Sequence, residues 1–388
     1  MRQCTADQLG PLPDFLRPGP EDVVRIVTPP GDQLWLVRDY TLGRAVLTDK
    51  RFSRAASLGP EAPKFNDAQP SADSMMSMDG SRHARLRRLV SGAFSTGRMA
   101  RMSTFVEEIT DRRLDAVGDL GHGVDLIENL ARPLPLSVLC SMLGIPEEDT
   151  SRFRGWVEVL FDIDASTPRE KARYRIELIE YIIELMGRKR SDPQEDLLSD
   201  LIAVHDRGEL STNELLTLGL TLLMAGYETT AGQISLATLS LLTDRGVYEE
   251  LTEHPDRIGN AVEELIRLSP ATPLTFMRVA TEAVQVGDVT VQPGEGIVVA
   301  LLYGNRDGDV FADPESMALV DGRDASHLTF GHGVHRCLGA PLARMQVRIV
   351  LERLTRRFPT LRLADVPEPF VWKDGMGIRG LSRLQVAW

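Results

Sequence analysis

Phe330-Gly-His-Gly-Val-His-Arg-Cys-Leu-Gly339 is a glycine-punctuated stretch that ends where an apolar helix begins. Gly331, Gly333 and Gly339 reach backbone angles closed to other residues, so the stretch can fold tightly and aim amide N–H groups at the sulfur of Cys337. Leu338, Leu342, Met345, Ile349 and Val350 then follow helical spacing, with Pro341 tolerated in the first turn. That spacing places Cys337 at a helix N-terminus, where the macrodipole and the free N–H groups favour thiolate over thiol. The stretch therefore reads as an anionic ligand. His332, His335 and Cys337 supply only three of the four ligands a zinc site needs. A Cys/His nucleophile would need a third residue to orient its histidine, and the sequence identifies none.

Outward from the loop, Leu215 to Thr243 contains one charged residue, Glu228. Ser211-Thr-Asn-Glu214 is a capping box ahead of it, so a helix of roughly 45 Å is expected, at about 1.5 Å per residue. Mid-helix, Glu228, Thr229, Thr230 and Gln233 would be costly in lipid, which favours a helix buried through a soluble core over a membrane span. A lone buried carboxylate beside hydroxyls and Gly226 reads as a working group. Thr229 can bond back to the carbonyl of Ala225, loosening the helix where Gly226 admits a ligand.

Elsewhere, Val24 to Thr28 and Leu34 to Val37 read as strands, followed by a helix from Tyr40 to Leu47. Leu58 to Asp79 has no period and reads as a long loop, of a length that is usually functional or disordered. Ser81 to Ala93 is helical and basic, carrying Arg82, Arg85, Arg87 and Arg88. Met99 to Ala203 is mainly helical. Ala261 to Leu268 forms a further helix on which Glu264 and Arg267, or Glu263 and Arg267, are spaced to pair. Thr275 to Leu302 alternates as β-structure, Asn305 to Leu328 is irregular, and short strands follow Arg357.

Hydrophobic residues at 43% and charged residues at 26% fit a folded soluble chain, and a net charge of −12 disfavours nucleic acid and anionic membrane surfaces. Cys4, Cys140 and Cys337 form no close pair, which fits a reducing cytosol. Met1 to Pro20 holds no apolar run suited to a signal peptide or anchor, so a cytoplasmic protein is expected.

With these residues in order, the chain resembles the cytochrome P450 family in its short soluble bacterial form. The cysteine stretch looks like the family's haem-binding loop, Ala225-Gly-Tyr-Glu-Thr-Thr230 like its oxygen-activating helix, Glu264-Leu-Ile-Arg267 like its Glu-x-x-Arg signature, and His83-Ala-Arg-Leu-Arg87 like its propionate-binding helix. Asn305-Arg-Asp-Gly308 departs from the family's Asn-Arg-Asp-Pro at one turn residue.

The resemblance implies one mainly α domain with small β-sheets over 1–388, comprising a small β-rich N-terminal region and a large helical region. Haem b (iron protoporphyrin IX) would lie between the long central helix and the cysteine loop. Cys337 is implied as axial thiolate, with Phe330 beneath the haem and Ala225 and Gly226 above. His83, Arg87, Arg278 and His335 are implied as four cations for the two propionates, Glu228 and Thr229 as the proton-delivering pair, and Glu264, Arg267 and Arg323 as a structural ion network. The implied activity is O2-dependent monooxygenation, with hydroxylation as the default and epoxidation or oxidative coupling as variants. The substrate would be a medium-to-large organic molecule, in a natural-product tailoring step. The pocket would be lined by Leu58 to Asp79, Trp156 to Ser166, Met224, Ala225, Pro273 to Phe276 and Gly375-Met-Gly377. A non-oxygenating gas sensor or electron carrier is the other class, and Glu228 with Thr229 argue against it. The implied partners are a ferredoxin and an NAD(P)H-dependent ferredoxin reductase acting on a monomer. Arg82, Arg85, Arg88, Arg336 and Arg344 form the expected basic docking patch.

Overall fold

The computed structural model describes residues 12, 16, 19, 21–65, 71–161, 167–373 and 378–388. Its centre is the helix Thr212–Thr243, capped by Ser211 and Glu214 in a reciprocal box. From Thr230 to Leu239 every residue is buried, as an apolar helix without a polar face requires. The helices Pro133–Leu143, Ile258–Leu268 and Ala340–Arg357 pack around it. Polar side chains on its buried half bond locally: Thr238 donates to the Ile234 carbonyl, and Gln233 donates to Ser269 O and accepts from Ala271 N. Among the described residues no helix is long and apolar enough to cross a membrane.

The N-terminal strands Val23–Val27 and Gln33–Val37 pair antiparallel around a turn whose Gly31 has φ of 97°. The second of them runs parallel to Gly296–Val299, which pairs with Arg278–Ala280, and that strand with Phe52–Ser53. This five-stranded sheet fixes Arg278 opposite Ile297 and brings Arg54 beside it. A second sheet joins Phe370–Trp372, Leu381–Ala387 and Val124–Asp125.

The C-terminal sheet reaches the central helix through two glycines. A Cβ on Gly232 would lie 2.5 Å from Arg379 O, and one on Gly380 would lie 3.1 Å from the Gly232 Cα. No larger residue fits at Gly232 without moving backbone, so the end of the chain is seated about one helical turn past Glu228. The expected helix over Ser81 to Ala93 runs Gly80–Ser91 and continues as a 3-10 turn. A 3-10 turn at Ala55–Leu58 leads into the long loop before Asp79, which contains another at Met75–Ser77, and residues 66–70 within it lie outside the described residues.

Candidate active site

The cysteine loop is closed by its own backbone. Cys337 N–H donates to Phe330 O at 2.8 Å, Gly331 N–H to Leu328 O at 2.7 Å and Arg336 N–H to Gly333 O at 3.1 Å. Gly331 and Gly333 have φ of 69° and 71°, and a Cβ on Gly333 would meet Leu47 O at 2.7 Å. Gly339 differs from expectation. Its φ of −80° is open to any residue, so only the first two loop glycines are needed for conformation.

The helix Ala340–Arg357 starts just beyond, and the Gly339 and Ala340 N–H groups donate to the Cys337 sulfur. The side chain is reachable by solvent. Even so, burial is the largest influence on its proton and raises the thiol pKa, outweighing those two donors and the Arg87 and Arg336 guanidiniums. The helix-head N–H groups do favour thiolate, as expected, but desolvation outweighs them, and a bound metal cation would hold the sulfur deprotonated.

Beside the loop lies a cluster of cations. Arg87 donates to Arg336 O at 2.7 Å, and the His83 and His335 rings stand 4.2 Å apart. His335 Nε2 is 3.4 Å from Asp79 Oδ1. Burial, His83 and Arg278 push His335 down to about 4, and burial with Arg87 also lowers His83. The expected four cations are therefore two guanidiniums and two imidazoles neutral at pH 7. A third guanidinium, missed by the sequence reading, is that of Arg54. It is held against Met76 O at 2.8 Å and Met277 O, and burial and Arg278 bring it down to about 10. Nothing near Arg54 in the sequence signals this, since its neighbour Arg278 comes from a distant strand.

Against Arg54, Arg87 and Arg278 the cluster sets one carboxylate, Asp79. Burial raises its pKa, but bonds from Ser53, Ala55, Arg54 and His335 more than offset it, so Asp79 stays below the usual range. Arg278 Nε is buried without a hydrogen-bond partner. Surplus buried positive charge with an orphaned donor fits a dianionic group bound alongside Cys337.

On the central helix, Met224 is 37% exposed and Ala225 is also open, although the stretch from Thr230 to Leu239 just beyond is fully buried. Thr229 donates to Ala225 O at 2.5 Å, the back-bond anticipated from the sequence. Gly226 also packs against a neighbouring helix. A Cβ there would lie 2.8 Å from Leu139 Cδ2, so its smallness serves close packing against the helix Pro133–Leu143. Glu228 is 8% exposed and forms an ion pair with Lys373, from the end of the strand Phe370–Trp372.

Behind the loop, Arg267 is bonded bidentately to Glu264, with both contacts at 2.8 Å, and Arg323 adds a third at 2.9 Å. Asn305 ties this network to the loop by accepting from Leu328 N and donating to Arg267 O and Thr329 Oγ1. Glu263 does not pair with Arg267 as the i, i+4 spacing allowed. It holds Arg344 at 2.6 Å and His327 at 3.3 Å, and although burial opposes this, both partners bring its carboxyl down to about 2. Arg344 in turn lies 4.5 Å over the Phe330 ring. The zinc alternative finds no geometry: His332 reaches Arg44 at 3.4 Å while His335 turns to Asp79, and no metal-ligating cluster occurs among the described residues.

The family described as Cytochrome P450 matches residues 22–378. The chain belongs to the cytochrome P450 family. This P450 is 41% identical to Nocardicin C N-oxygenase of Nocardia uniformis subsp. tsuyamanensis, over 95% of its own length and 93% of that protein. It is 37% identical to Mycinamicin IV hydroxylase/epoxidase of Micromonospora griseorubida, with the same coverage. Among solved structures, the LnmA cytochrome P450 hydroxylase from the leinamycin pathway of Streptomyces atroolivaceus superposes with a TM-score of 0.88 at 37% identity, covering 98% of each chain. The mainly α fold with small sheets is thus that of the family, and membership implies a haem with a cysteine thiolate ligand.

Proposed function

We propose that this P450 monooxygenase binds haem b through Cys337 and oxidises a medium-to-large natural product, by default through hydroxylation, as a tailoring step. The observation that carries the reading is the Cys337 sulfur, bonded by two N–H groups at a helix head beside the guanidiniums of Arg87 and Arg336, with a buried Arg278 Nε nearby that has no hydrogen-bond partner. Similarity to oxygenases named for nocardicin and mycinamicin supports the substrate class. Haem bound there supplies thiolate-driven cleavage of the O–O bond. Arg54, Arg87, Arg278, His83 and His335 receive its two carboxylates. Phe330, its own face covered by Arg344, would pack against the group together with Ala225 and Gly226.

Thr229 already gives its proton to Ala225 O, so Oγ1 presents lone pairs that would hold a water in place, with Glu228 one residue back as proton source. Reconstitution with NAD(P)H, ferredoxin reductase and ferredoxin, using a natural-product panel scored by spin-state shift and 18O incorporation, tests the reading. Thr229→Ala is expected to divert electrons to peroxide and slow oxygen insertion roughly a hundredfold, the low end for losing a group that positions a proton transfer. Full coupling in the variant would contradict the role given to Thr229. Electron consumption that no panel member converts to product would favour the sensor class.

Of the five arginines expected to dock a ferredoxin, three are engaged. Arg82 pairs with Asp73, Arg85 with Glu214 and Arg344 with Glu263. Arg88 and Arg336 are exposed, and among the described contacts neither has an ion pair. They carry the remaining complementarity to an acidic partner. Arg88→Glu should slow reduction several-fold at low salt, with the gap closing as salt rises. An unchanged rate at low salt would remove Arg88 from the interface.

A further inference from the structure

The helix Pro168–Ser191 is engaged with the rest of the chain along one side only. Leu178, Tyr181, Ile182, Leu185 and Met186 are buried on that side. Tyr181 donates to Asp149 Oδ2 at 2.8 Å, and Glu177 accepts from Trp156 Nε1 at 2.9 Å, which fastens the helix to its neighbour Thr150–Phe161. Outward it carries Ile176 and Ile183, which are 57% and 52% exposed. No other helix bears two large exposed apolar side chains among the described residues. The two isoleucines are spaced by about two helical turns and so share one row, which Ala172 and Gly187 extend at either end. A glycine inside a helix weakens it relative to alanine. A Cβ on Gly187 would meet nothing within 4 Å, so packing within the protomer does not call for glycine there.

Charge changes sign along the same face. Arg169 and Arg173 stand in the first half of the helix and Glu180 and Glu184 in the second, all of them exposed. Arg173 lies 3.6 Å from Glu177 of its own helix, but both are more than a third exposed, so solvent keeps that contact weak. Farther along, Arg188 is taken by Asp149 and Arg190 by Asp206. A second copy laid antiparallel, centred between Ile176 and Ile183, sets isoleucine on isoleucine, Ala172 against Gly187, and Arg173 within one turn of Glu184 of the second copy. A parallel copy would set like charge on like. We propose that the outer face of Pro168–Ser191 is a homodimer interface, covered by the same helix of a second copy in an antiparallel, two-fold arrangement. Gly187 and Ala172 then let the two backbones approach, which is the role that the single protomer does not give the glycine.

Sedimentation velocity of the holoenzyme over roughly a hundredfold range of concentration tests this, because a single helix pair lies at the low end of specific interface sizes and should dissociate on dilution. Dimer is expected at the upper end of the range. Ile183→Glu should weaken it by about tenfold or more, since a carboxylate then enters each half of the contact. Gly187→Gln should weaken it by a similar factor while raising the unfolding temperature of the dilute protein, since the new side chain meets open space in the protomer and favours helix. Arg173→Glu and Glu184→Arg should each weaken it several-fold, and the double variant should recover most of the loss, because two-fold symmetry pairs each new glutamate with a new arginine. A monomer at every concentration, or a dimer indifferent to Ile183→Glu and Gly187→Gln, would overturn the proposal. So would a monomer whose reduction by ferredoxin slows in Ile183→Glu, since the face would then belong to the electron donor. If Ile183→Glu does not fold, Gly187→Gln and the charge exchange still decide.

Discussion

Cys337→His is expected to leave a protein that still takes up some haem but whose ferrous carbon monoxide complex lacks the strongly red-shifted Soret band, and which inserts no oxygen. A thiolate pushes electron density onto the iron and favours O–O cleavage, whereas a neutral imidazole suits reversible oxygen binding. Uptake need not vanish, because Arg54, Arg87 and Arg278 are placed by other elements and remain to bind carboxylates. The loop should also persist, since it is closed by main-chain bonds and by Gly331 and Gly333, none of which involve the sulfur. Difference spectroscopy and product analysis on one preparation separate the two effects. A retained red shift would mean that another side chain ligates the iron.

Arg267→Ala is expected to abolish folded, haem-containing protein. Arg267 is 1% exposed and all three of its nitrogens are used: Nε and Nη2 on Glu264, Nη1 on Asn305 O at 2.8 Å and Pro314 O at 2.6 Å, and Nη2 again on Ser316 O at 2.9 Å. Truncation orphans Asn305 O and Pro314 O, leaves Ser316 O with Arg323 Nη2 alone at 2.7 Å, and leaves Glu264 buried with Arg323 as its one remaining guanidinium. Removing one member of such a buried network costs about 3–5 kcal/mol, a large share of a domain's stability. Arg267→Lys should rescue little, because one ammonium cannot reproduce a planar fork serving five acceptors. Thermal unfolding and the yield of carbon monoxide-binding protein measure the loss. A variant with near-normal unfolding temperature would show that the carbonyls find other donors.

Local chemistry made much of this legible in the sequence. The glycine loop, the capping box at Ser211 and Glu214, and the i, i+3 pair Glu264 and Arg267 each depend on neighbours a few residues apart, and the structure places each as read. The less reliable readings were those in which several partners compete for one group. Glu263 had Arg267 as its candidate by spacing and does not take it, because the tertiary fold offers it Arg344 and His327. Arg82 and Arg85 look like a free basic face until Asp73 and Glu214 arrive from other segments.

By itself the sequence determined the family, the cysteine loop and the long helix that carries Glu228 and Thr229, because these are written in spacing and residue type along a continuous stretch. Only the tertiary structure decided the electrical state of the site. Burial raised the Cys337 thiol and lowered His335, Arg54 joined the cation cluster through strand pairing, and Gly232 and Gly380 let the chain's end deliver Lys373 to Glu228. Charge and desolvation are set by what surrounds a group in space, and those neighbours lie far apart along the chain.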